Sequence, residues 1–167
     1  MDKTKLIIEF VVYIVAYIAW RVLITAKAKY HLNIIQLNEY NNNKYRDWIK
    51  NNFSKAYSPV NEKTDSKTPL VMTDRAKRLL ATYLNIYRGL VTVVILAILC
   101  FTNYRISIYA GIIFLLIALF MQPQMMIVAN AINLPKEKKI NMGFYTSAQE
   151  KIRRLKAESG LKVIGIT

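Results

Sequence analysis

The strongest constraint on this chain is a set of three long apolar runs, at residues 6–24, 86–101 and 106–121. The first has about 19 residues, or roughly 28 Å of helix, close to the ~30 Å of a bilayer core. Glu9 and Arg21 near its ends are placed to snorkel. Only Thr102-Asn103-Tyr104-Arg105 separates the second run from the third, so two helices there must run antiparallel as a hairpin. Beyond Pro123 the chain is apolar again. Either one helix kinks at Pro123 and continues to about residue 128, or a short span is followed by a separate surface helix. The expected fold class is therefore mainly α. It is an integral membrane protein of three transmembrane helices, one span plus a hairpin, with a cytosolic helical loop at residues 25–85.

Charge sets the expected orientation. Of 24 Lys and Arg, two lie in residues 1–5, twelve in 25–88, one at the hairpin tip and eight after Pro135. Heavy and light segments alternate, as the positive-inside rule requires of three spans. The reading is a bacterial cytoplasmic membrane protein with its N-terminus outside and with residues 25–88 and the C-terminal tail in the cytosol. That topology accounts for most of the +14 net charge, so no nucleic-acid partner is invoked.

Catalytic chemistry is sparsely supplied. A single Cys, Cys100, excludes an internal disulfide framework, and a single His, His31, excludes a multi-His metal site. Five Gly form no complete phosphate-binding loop. No catalytic, cofactor-binding or metal-binding residue is assigned. Tyr30, Ile34, Leu37, Tyr45 and Trp48 share one face of an expected helix over residues 30–53, weakened in its middle by Asn41-Asn42-Asn43. Lys44, Arg46 and Lys50 surround that stripe. His31 is expected as a headgroup or capping contact. Residues 54–69 read as a flexible linker. Thr73 then caps a new helix, with Asp74 in its first turn and Ala76, Leu79, Leu80, Tyr83 and Tyr87 on one face. Arg75, Lys77 and Arg78 lie on its cytosolic part. These six cations are the candidate basic face, and its partner is either an anionic inner leaflet, another part of the protein or a phosphate-bearing substrate.

The last segment has a different character. Residues 136–160 read as a linker and an amphipathic helix, opened by a Ser147/Glu150 capping box and closed by Gly160. Leu161-Lys162-Val163-Ile164-Gly165-Ile166-Thr167 then reads as a buried strand opening an α/β domain, with residues 1–135 as the membrane region. The chain is expected to continue past that strand.

Val163-Ile164-Gly165-Ile166-Thr167 resembles the first strand of the central ATPase domain of Mur ligases, which runs into a Gly-rich GKT or GKS loop. Leu37-Asn38-Glu39-Tyr40, Thr68-Pro69-Leu70-Val71-Met72-Thr73 and Arg75-Ala76-Lys77-Arg78-Leu79-Leu80 are similar to the N-terminal region of a membrane-spanning branch of D-alanyl-D-alanine-adding ligases. The resemblance implies a parent enzyme that phosphorylates a carboxylate with ATP and Mg²⁺. The acyl phosphate then passes to an amine. The implied substrates are UDP-N-acetylmuramoyl-tripeptide and D-alanyl-D-alanine, in peptidoglycan synthesis. The ATP loop would follow Thr167, and no contact of the family's nucleotide-sugar domain carries over to a residue here. The other reading is a non-enzymatic three-span membrane adaptor that recruits a cytosolic partner through its basic loop.

Overall fold

The computed structural model describes residues 3–58, 69–100, 113–114 and 116–159. The described elements are helices: α1 (Lys3–Leu37), α2 (Asn42–Asn51), α3 (Phe53–Tyr57), α4 (Asp74–Cys100) and α5 (Gln122–Ser159). Residues 113–114 and 116–120 are also helical. The chain divides into two units, residues 1–132 and 133–167.

The expected fold class is corrected. Among the described residues no strand occurs, and no helix is long and apolar enough to cross a membrane. The three-span topology, the bacterial-membrane localisation and the orientation read from Lys/Arg counts fall with it. The physical reason lies in where the apolar residues go. The first run is continuous with the following polar segment in α1, and Trp20, Ile24, Ala28, Leu32 and Ile35 bury one stripe of that helix. Steps of three and four residues keep them on one face. The second run is the continuation of the Thr73-capped helix, whose face of Ala76, Leu79, Tyr83 and Tyr87 is also buried. α1 packs on α4 and on α2. The opposite side of α1 exposes Val11, Val15, Ile18 and Val22. The hairpin tip, the start of the third run and the expected strand at 161–167 lie outside the described residues.

The helix expected over residues 30–53 is three pieces. α1 ends in a Schellman arrangement: the Glu39 N–H donates to the Gln36 carbonyl (3.0 Å) and the Tyr40 N–H to the Ile35 carbonyl (2.8 Å). The left-handed position is filled by Glu39 and repeated at Tyr40, both with φ 57°, where Gly is the common choice. Asn38 closes the turn by donating its side-chain amide to the Ile34 carbonyl (2.8 Å). Asn41 then caps α2, its side-chain oxygen accepting from the Asn43 (2.9 Å) and Lys44 (3.3 Å) amides. Thr73 caps α4 as the sequence implies, accepting from the Ala76 amide (3.2 Å).

Buried tyrosines join distant segments. The Tyr83 hydroxyl donates to Gln122 (3.3 Å) and the Tyr87 hydroxyl to the Ala118 carbonyl (2.8 Å), tying α4 to residues 118–122. Asn130 donates to the Tyr40 carbonyl (2.8 Å) and to the Asn42 side chain (2.7 Å), holding the α1–α2 corner to α5. Pro123, expected at a kink, is buried in the first turn of α5, where a missing N–H costs little.

In the second unit α5 continues through Pro135 and through residues 136–139 to Ser159. Ser147 is interior to that helix, so the expected capping box does not start a new one. Gly160 lies outside the described residues. The helix surface from residue 141 to 158 is exposed, including Met142, Phe144 and Tyr145.

Truncating the buried stripe should cost far more than truncating the exposed one. Leu32→Ala is expected to lose about 2–5 kcal/mol in urea unfolding, whereas Val22→Ala should stay within about 0.5 kcal/mol.

Candidate functional site

One turn apart on the same side of α1 stand Leu23, Lys27 and His31. They form one wall of a cavity of about 250 Å³. The end of α3 supplies Ala56, Tyr57 and Ser58, and the helical residues 116–122 supply Leu116, Leu119, Phe120 and Gln122. Lys27, His31 and Ala56 are buried, whereas Leu23 and Phe120 are about half exposed and stand at the mouth. The cavity thus grades from a polar floor to an apolar entrance. The Tyr57 ring stacks on Phe120 with centroids 4.5 Å apart, and Tyr57 also accepts a hydrogen bond from Gln124.

His31 is the chemically distinctive residue. Its Nδ1 lies 2.8 Å from the Tyr45 hydroxyl, and both side chains are fully buried. Burial, and next the charge of Lys27, lower the imidazole pKa from 6.5 to about 3, against a smaller opposing pull from the Ala56 backbone. His31 is therefore neutral near pH 7. Burial, chiefly, pushes the Tyr45 hydroxyl well above its ordinary value, so it keeps its proton. With Tyr45 donating to Nδ1, the remaining ring proton sits on Nε2, which is buried without a hydrogen bond of normal geometry. The alternative tautomer would leave the buried Tyr45 proton without an acceptor, at a cost of about 1–3 kcal/mol. The Lys27 ammonium stands 4.9 Å from the centre of the Tyr30 ring, a cation–π distance.

The six cations singled out in the sequence are distributed differently. Lys44 pairs with Glu39 (2.6 Å), Lys50 with Asp47 (3.6 Å) and Lys77 with Asp74 (3.3 Å). All three pairs are solvent-exposed, where such contacts contribute little to stability. The Lys44 hydrogen bond, reinforced by its charge, holds the Glu39 carboxyl below its ordinary pKa. Arg46 is exposed and Arg78 half-buried. Arg75 lies over the Tyr40 ring, 4.0 Å from its centroid. On α2, Lys44 and Arg46 flank buried Tyr45 from opposite sides, a consequence of the 100° step per residue. Thr167 lies outside the described residues. Sequence reasoning missed the His31 cluster: His31 is neither a cap nor a headgroup contact. The available signal was the i, i+4, i+8 spacing of Leu23, Lys27 and His31.

No family model, curated protein or solved structure matches this chain. The membrane character expected of it is corrected by the helices themselves, and no relative lends support to a ligase or peptidoglycan role. Among the described residues no group of His, Cys, Asp and Glu is arranged to hold a metal.

The depressed His31 pKa has a thermodynamic consequence. In the unfolded chain the ring takes up a proton below pH 6.5, but in the folded chain only near pH 3. The contribution is fully present above pH 6.5 and is lost as pH falls through that window, because the unfolded state binds more protons. At ~1.4 kcal/mol per pKa unit the loss is on the order of 5 kcal/mol. The groups facing the ring are Lys27 on its own helix, the Tyr45 hydroxyl of α2 and the Ala56 backbone of α3. His31→Gln should flatten the dependence of urea-unfolding stability on pH between 6.5 and 3 relative to the parent chain.

Proposed function

We propose that this chain is a helical, non-catalytic region of an ATP-dependent ligase similar to the Mur family, one that adds D-alanyl-D-alanine to UDP-N-acetylmuramoyl-tripeptide. On this reading the ATP loop and Mg²⁺ ligands belong to a domain entered through Val163-Ile164-Gly165-Ile166-Thr167. The reading requires no membrane span.

The observation that carries it is the packing of the stretches that resemble the family. Gln36, next to Leu37-Asn38-Glu39-Tyr40, donates to the Val71 carbonyl (2.9 Å) and accepts from the Val71 amide (3.2 Å). Tyr40 lies under Arg75. Segments more than thirty residues apart thus meet at one corner, as a shared structural region would have them do. The exposed cations of α2 and the net charge of +14 supply a positive field that favours a nucleotide-sugar diphosphate.

Three measurements test the reading. The full-length gene product should release ADP only when UDP-N-acetylmuramoyl-tripeptide, D-alanyl-D-alanine and ATP with Mg²⁺ are all present. Its Lys44→Glu/Arg46→Glu/Lys50→Glu variant should raise KM for the nucleotide substrate several-fold with little change in kcat. The 167-residue chain alone should give no saturable heat with ATP and Mg²⁺ in calorimetry. Absence of substrate-dependent ADP release, or micromolar ATP binding by this chain, would overturn the assignment.

A further inference from the structure

In the second unit α5 carries an apolar stripe of its own. At a step of about 100° per residue, Ile140, Phe144, Tyr145, Ala148, Ile152 and Leu155 fall within about 140° of the helix circumference, interrupted by Asn141. Every residue from 141 to 158 is exposed, with Phe144 at 71% and Tyr145 at 61%. Contiguous apolar side chains left this open to water mark an interaction surface. Charge surrounds the stripe. Residues 133–159 hold seven Lys and Arg against three Glu, a net +4. Lys138 and Lys156 lie along the margin beside Tyr145, and Lys151 lies along the other. Arg153 and Arg154 are on the far side.

We infer that α5 between Ile140 and Leu155 lies flat on an anionic lipid surface. Phe144 and Ile152 seat at the boundary between headgroups and acyl chains, and the flanking lysines meet phosphate oxygens. The helix stays in the plane of the surface, so no span is involved. Several features select this occupant. The aliphatic stems of Lys138, Lys151 and Lys156 run beside the stripe and lift their ammonium groups to headgroup level on both margins. Tyr145, at the stripe's edge, has the apolar ring and polar tip of an interfacial anchor. A second copy of the helix is opposed by charge. Parallel pairing in register brings Lys151 beside Lys156 of the other copy, and antiparallel pairing about Ala148 brings Lys138 beside it. A protein groove would need carboxylates at fixed spacing along both margins. A layer of anionic headgroups supplies negative charge on both sides with no such fit. The inference goes beyond the ligase reading and does not depend on it.

Co-sedimentation of the purified 167-residue chain with lipid vesicles tests it. Partitioning into vesicles of phosphatidylcholine mixed with phosphatidylglycerol should exceed that into pure phosphatidylcholine by at least about tenfold, and should weaken at high salt. Because α1 also exposes apolar side chains, a probe must localise the contact. In a Cys100→Ser background, a polarity-sensitive dye at Ala148→Cys, within the stripe, should brighten on the anionic vesicles. The same dye at Thr146→Cys, on the far side of the helix, should not. Phe144→Ser/Ile152→Ser should lower partitioning about tenfold with the circular dichroism of the chain unchanged, since both positions are exposed. Equal partitioning into the two kinds of vesicle, an unmoved Ala148 probe, or an equal response from the Thr146 probe would each overturn the assignment. So would undiminished partitioning of a helical Phe144→Ser/Ile152→Ser variant. An unmoved Ala148 probe would return the stripe to an acidic protein groove.

Discussion

A helix of 35 residues that buries one stripe from Trp20 to Ile35 must be covered along that length, and the first unit is largely the means of covering it. Apolar burial supplies about 25 cal/mol per Å², so an uncovered stripe of this kind would forfeit most of the unit's stability. α4 packs against it with Ala76, Leu79, Tyr83 and Tyr87, while α2 brings Tyr45 and Ile49 into the same core. The later segment contributes Ala118, Met126 and Ala129 to that core. Small residues recur at these positions, which lets helix backbones approach closely.

The stripe is not wholly apolar. Lys27 and His31 are buried along it and Asn33 is buried on another side of the same helix, and buried polar groups must be satisfied by partners. Tyrosine answers that demand, since its ring fills core volume and its hydroxyl reaches an acceptor. Tyr45 serves His31, Tyr83 reaches Gln122 and Tyr87 reaches a carbonyl at Ala118. Burial pushes the Tyr83 and Tyr87 hydroxyls upward in pKa, the latter to about 12, so all remain donors across the physiological range. The cavity arises where this scheme stops. At the end of α3 Ala56 and Ser58 are small, and Tyr57 turns to stack on Phe120, so the space beside Lys27 and His31 is left open.

Parts of this arrangement were legible in the residues. The Thr73 cap, Asp74 behind it and the apolar face of α4 follow from local rules, because capping and 3.6-residue periodicity are properties of the helix itself. The end of α1 was not legible. A Schellman turn is ordinarily marked by Gly, and here Glu39 and Tyr40 take left-handed backbone, which costs on the order of 1–2 kcal/mol each and is repaid by the packing of Tyr40 under Arg75 and the bond from Asn130. Ser147 and Glu150 have the spacing of a capping box, yet the helix passes through them, since the motif marks a start only where the preceding residues leave helical geometry.

What the sequence by itself determined is local: helices wherever apolar residues recur every three or four positions, their polar starts, and a strongly basic surface. What only the tertiary structure decided is what those apolar residues face. Hydropathy measures the wish to leave water, and a neighbouring helix satisfies it as well as lipid does, so the stripes of α1 and α4 read as spans until seen against one another. The same holds for His31. Alone in a basic segment it had no visible partner; burial and the Lys27 charge keep it neutral, and the return of Tyr45, fourteen residues later, supplies the hydrogen bond to Nδ1.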